Sequence, residues 1–78
     1  MTRSEIMALN AQRAAMGLAG QTEWAPAGMM LRVASILRDR EKPAIALPFA
    51  LNARADCLNE AGRRTCGRII EMIEGSRS

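Results

Sequence analysis

Two aromatic side chains, Trp24 and Phe49, are all that this chain of 78 residues carries, and that scarcity limits what it can fold into. Strand-rich cores lean on aromatic and β-branched residues, and both are few here. The interior has to be filled by Ala, Leu, Ile and the six Met. Alanine and methionine are strong helix formers. The expected class is all-α.

The length allows one domain, spanning 1–78. Such a short chain buries only about 60–65% of the surface its unfolded form exposes, so its core is thin. A staple, a metal or a second subunit commonly completes domains of this size. Apolar residues make up 49% and charged residues 24%, a globular composition rather than a disordered one.

Periodicity predicts three helices, over about 4–18, 25–41 and 48–74. Thr2 or Ser4 can cap the first, with Glu5 well placed in its first turn. Met7, Ala11, Ala14 and Leu18 form its main stripe. Ile6, Leu9 and Met16 form a second strip, which suggests a helix touching two neighbours. Gly20-Gln21-Thr22 reads as a turn, with Thr22 as the next cap and Pro26 tolerated in the first turn that follows. The second helix should bury Met29, Met30, Val33, Ile36 and Leu37, and turn Arg32, Ser35 and Asp39 to water. Pro43 should end it. Residues 43–47 read as a buried connector.

Pro48 then opens the most patterned segment. Leu51, Ala55, Leu58, Gly62, Thr65, Ile69 and Met72 alternate in steps of four and three. The register continues through Gly62, which favours one helix of about 27 residues, ~40 Å long. A split at Gly62, with the glycine as a C-cap, is the alternative. Two shorter helices cannot cover so long a stripe, so homodimerisation is expected along it. On this helix Asp56, Glu60, Glu71 and Glu74 share one polar sector, and Arg54, Arg64 and Arg68 another.

Cys57 and Cys66 are the only cysteines. On one continuous helix, nine residues turn them to nearly opposite sides, about 13 Å apart along the axis. An internal disulfide needs Cα atoms within about 7 Å. Two reduced thiols in a reducing cytoplasm are therefore expected, with a bridge between two chains as the lesser option.

Catalytic groups are hard to find. Without histidine or tyrosine, the commonest general base and the commonest metal ligand are missing. Two cysteines do not supply the four ligands of a structural zinc site. Gly17 and Gly20 lack the strand and the Lys-Ser/Thr ending of a phosphate loop. Asp56 and Glu60 have i,i+4 spacing, but they lie in the sector farthest from the apolar stripe, where carboxylates serve solubility. Cys57 beside the arginines reads as a packed thiol rather than a nucleophile. No enzyme and no cofactor are expected. No signal core is visible, and the longest uncharged run, Pro43 to Ala53, is 11 residues, too short to span a bilayer. The expected setting is the cytoplasm.

The net charge of +3 comes from ten Arg and one Lys set against eight acids. Most basic residues stand near acids, as in Arg38-Asp39-Arg40-Glu41-Lys42, which reads as a solvated mixed face. Two binding roles remain. The first is a protein-interaction module that docks on a larger protein, with Trp24 as aromatic anchor and Arg54, Arg64 and Arg68 as charged contacts. The second is a small DNA- or RNA-binding regulator using the same arginines. Its weakness is that Met29, Met30, Leu31 and Val33 stand where base-reading polar groups are wanted. In general style, a compact Arg-rich chain without catalytic groups resembles the small accessory proteins of phages and plasmids. That resemblance implies an inhibitor or adaptor acting by steric occlusion, an argument by analogy.

Overall fold

Among the described residues the chain forms four helices and no strand: α1 (Arg3–Gln21), α2 (Trp24–Arg40), α3 (Pro43–Asp56) and α4 (Glu60–Arg77). The computed structural model describes residues 2–21, 24–40 and 42–77; the side chains of Gly20, Gln21, Trp24, Ala25, Arg40 and Arg77 are outside that description, as is the Thr22 cap. All-α is therefore the class, but three helices become four.

α1 starts where its cap dictates. Thr2 Oγ1 accepts the Glu5 backbone N–H at 3.1 Å, and the Glu5 carboxylate accepts the Thr2 N–H at 3.3 Å. This reciprocal capping box satisfies two donors at the helix start. Met7, Ala11, Ala14 and Leu18 are all buried, joined by Ala8 and Ala15. The second strip behaves differently from expectation. Ile6, Leu9 and Met16 are exposed, because the neighbours of α1 pack on one broad face made mostly of small residues.

α2 buries Met30, Val33 and Leu37 fully and Met29 and Ile36 in part, while Arg32, Ser35 and Asp39 face water, as the periodicity predicts. Pro26 is fully buried in its first turn, a position where the missing N–H is not needed. Arg38 donates to the Gln12 side-chain carbonyl at 3.2 Å and ties α2 to α1.

The expected connector at 43–47 is helical. Pro43 sits in the first turn of α3, and the Ile45 N–H donates to the Lys42 carbonyl at 3.0 Å. Pro43, not Pro48, is thus the helix-starting proline. Pro48 lies inside α3 and withholds the donor that the Ala44 carbonyl would otherwise meet. Both residues are exposed, so solvent can take that carbonyl. The inward face of α3 is Ala46, Ala50 and Ala53, each fully buried.

The long third helix does not exist. It breaks at Cys57-Leu58-Asn59, not at Gly62. The reason is a cap: Asn59 Oδ1 accepts the Gly62 N–H at 2.7 Å, and Glu60 follows in the first turn of α4. An asparagine at N-cap with an acid beside it is a helix start. Gly62 is thus in the first turn of α4 rather than a C-cap. α4 buries Gly62, Cys66, Ile69, Ile70 and Ile73.

Each helix packs on the next in the chain, and α4 returns to pack on α1. The radius of gyration is 11.0 Å, near the ~11.5 Å typical of a compact domain this long. Among the described residues no polar or charged side chain is buried. Alanines dominate the interior, so the helices can approach one another closely.

Candidate functional site

The break at 57–59 redistributes the residues that the sequence places on one surface. Arg64 and Arg68 stay together, exposed on α4. Arg54 belongs to the last turn of α3, a different helix, and is exposed too. Arg63, exposed as well, donates to the Cys57 carbonyl at 3.2 Å and so braces the turn. At 100° per residue, Glu60 and Glu71 fall on the same exposed side of α4 as Arg64 and Arg68. That face is mixed in charge rather than basic. Asp56 and Glu60, expected as an i,i+4 pair, are separated by the same break, and both are exposed.

The stripe proposed for dimer packing is divided as well. Leu51, Ala55 and Leu58 are exposed, Gly62 and Ile69 belong to the chain's own core, and Thr65 and Met72 are half-buried. The Thr65 hydroxyl donates back to the Ala61 carbonyl at 3.0 Å. No single surface carries all seven. Trp24 opens α2, and its side chain lies outside the described residues.

The residues that form a coherent exposed surface are ones that the sequence places against a second neighbour. Ile6, Leu9 and Met16 are 47%, 37% and 71% exposed. Their spacing places them within one side of α1, with Arg13 among them. The helix wheel sets this strip opposite the buried Met7, Ala11, Ala14 and Leu18. The signal for it was available: four residues already fill the inward stripe, which leaves the second strip without a neighbour.

α2 has a shallow outer groove lined by Gly28, Leu31, Arg32, Ser35, Ile36 and Asp39. All six lie on one helix, so the groove lacks the convergent walls of a small-molecule site. Ser35 donates to Asp39 at 3.4 Å, and the Arg32 guanidinium stands 5.8 Å from the Phe49 ring centre, linking α2 to α3. Among the described residues no three His, Cys, Asp or Glu side chains gather as metal ligands. No helix of those residues is long and apolar enough to cross a membrane.

Beside this geometry, comparison with protein-family models, curated proteins and solved structures finds no match.

Proposed function

We propose that the chain is a non-catalytic protein-interaction module, an inhibitor or adaptor that docks on a larger protein or complex and blocks it sterically. One observation carries this reading: the apolar strip Ile6, Leu9 and Met16 on the side of α1 that faces away from the core. Apolar side chains at such spacing are how a helix lies in a partner's groove. Methionine adapts to irregular surfaces, and Arg13 within the strip suits an acidic rim on the partner. Charged residues at Leu9 and Met16 test the reading. Tagged wild type and a Leu9→Glu/Met16→Glu variant of equal helicity are used to capture partners from lysate at low and high salt. A protein retained by wild type at high salt and lost by the variant supports the proposal. Identical captures by both overturn it.

A second copy of the chain is a further occupant, favoured by the exposed run Leu51, Ala55 and Leu58. Self-association through that run predicts a dimer mass by light scattering at tens of micromolar and a monomer mass for Leu51→Glu/Leu58→Glu. Monomeric wild type removes it. The competing role in DNA or RNA binding rests on Arg54, Arg64 and Arg68, and the acids beside Arg64 and Arg68 reduce their pull on phosphates. Nucleic-acid affinity that falls steeply with salt would restore that role.

A further inference from the structure

Cys57 and Cys66 are nine positions apart, yet their sulfurs approach to 3.7 Å. One continuous helix would hold them on opposite sides, but the break at 57–59 turns the chain back and brings them together. Cys57 ends α3 with extended backbone (φ −70, ψ 134), where the chain turns back toward α4. Its thiol donates to the Ala53 carbonyl at 3.1 Å, which holds the sulfur inward. Cys66 meets it from α4, fully buried. Gly62 lies one turn before Cys66 on the same face. A Cβ at Gly62 would stand 3.1 Å from the Cys57 sulfur and 3.3 Å from its Cβ. The missing side chain leaves the sulfur its place.

We propose that Cys57 and Cys66 form a redox-active dithiol, which a peroxide oxidises to an intramolecular disulfide that staples the α3–α4 turn to α4. Disulfide sulfurs stand about 2.05 Å apart, so closure takes a shift of under about 2 Å. Cys57 is on a turn rather than inside a helix, and a turn accommodates such a shift. In the first step the Cys57 thiol releases its proton to solvent and its sulfur attacks one peroxide oxygen. The O–O bond breaks, a sulfenic acid forms at Cys57, and the departing hydroxide takes up a proton to become water. In the second step the Cys66 sulfur attacks the Cys57 sulfur. The S–O bond breaks, and hydroxide leaves with the Cys66 proton as a second water. Two thiols and one peroxide give one disulfide and two waters; the sulfur pair loses two electrons and the peroxide gains them.

The order of attack follows from access. Cys57 is 5% exposed and Cys66 is 0% exposed. Burial, then the neighbouring Cys57 sulfur, pushes the Cys66 thiol up to about 12, against a smaller downward pull from Arg54. A thiol held protonated is a poor direct target for peroxide, so Cys66 is the resolving group, and adjacency makes up for its low nucleophilicity. Closing this short loop restricts the unfolded chain, the kind of staple that a 78-residue domain with a thin core gains from.

The test treats the folded, reduced protein with a small excess of hydrogen peroxide and follows intact mass, free thiols and a non-reducing gel. The expected wild-type product is a monomer lighter by two hydrogens, with no free thiol. Its thermal midpoint should be about 10 °C higher, and dithiothreitol should restore the starting form. Cys66→Ser, verified as folded by circular dichroism, should collect oxygen adducts at Cys57 and show no rise in midpoint. Wild type that keeps both thiols, gains oxygen, or links chain to chain instead of losing two hydrogens overturns the proposal.

Discussion

Asn59 Oδ1 accepts the Gly62 backbone N–H at 2.7 Å, and this contact sets α4 off from α3. Removing an N-cap acceptor typically costs about 1 kcal/mol. Asn59→Ala should lower the unfolding free energy by about that amount in urea, and Asn59→Asp should retain most of it. An alanine variant as stable as wild type would mean that the turn is held by other contacts, such as Arg63 on the Cys57 carbonyl.

Gly62 and Gly67 are both in α4 and should respond to alanine with opposite signs. At Gly67 an added Cβ meets nothing within 4 Å, so Gly67→Ala should stabilise by about 0.5–1 kcal/mol through helix propensity. At Gly62 the new Cβ would press on Cys57 and, at 3.3 Å, on Leu18. Leu18 is fully buried and has little room to yield. Gly62→Ala should therefore destabilise by about 1 kcal/mol. Denaturation of the two single variants side by side checks the difference in sign.

Stability should fall in alkaline buffer through Cys66. Its folded thiol is pushed from 9.0 up to about 12, chiefly by burial, while the unfolded chain titrates near the ordinary value. Between those values the folded state keeps a proton that the unfolded state has released, so stability decreases as pH rises. The contribution is intact below about pH 9 and declines toward pH 12, by at most about 1.4 kcal/mol per pH unit. Cys66→Ala should show a shallower decline between pH 9 and 11 under reducing conditions. Equal slopes for the two proteins would disprove it.

Exposure should decide the outcome of truncation more than residue type does. Ile73 is fully buried and Met16 is 71% exposed. Ile73→Ala should cost about 2–4 kcal/mol, combining lost burial with a cavity, whereas Met16→Ala should stay within about 0.5 kcal/mol. Arg64→Glu with Arg68→Glu should likewise leave folding nearly unchanged, since exposed charges add little stability. Urea midpoints for all three proteins provide the check.

Much of the fold was legible where large apolar residues mark the inward face. Met7 and Leu18 frame the α1 stripe, and Met30, Val33 and Leu37 define α2. Legibility failed at 43–59 for a physical reason. The buried face of α3 is Ala46, Ala50 and Ala53, followed by Cys57, and alanine contrasts weakly with its surroundings. Leu51, Ala55 and Leu58 are more conspicuous, and they run in phase with Ile69 and Met72. That accident of register joined two helices into one. The cap at Asn59 is a residue type that starts helices, whereas Gly62, the more conspicuous helix breaker, stands three residues beyond it. Of the surface residues, Arg64 and Arg68 remained adjacent, while Arg54 was lost to α3. On α1 the inward stripe Met7, Ala11, Ala14 and Leu18 is complete by itself, and that leaves Ile6, Leu9 and Met16 to water.

The alanine face of α3 has a kinetic counterpart. A buried methyl group removes far less apolar area from water than a buried isoleucine, and α3 is held inward by three of them plus partial cover from Leu47 and Phe49. Pro48 also takes one rung out of its backbone ladder. α3 is therefore the leaf of the molecule that swings open at least free energy, and its amide protons should exchange with deuterium before those of α1 and α4.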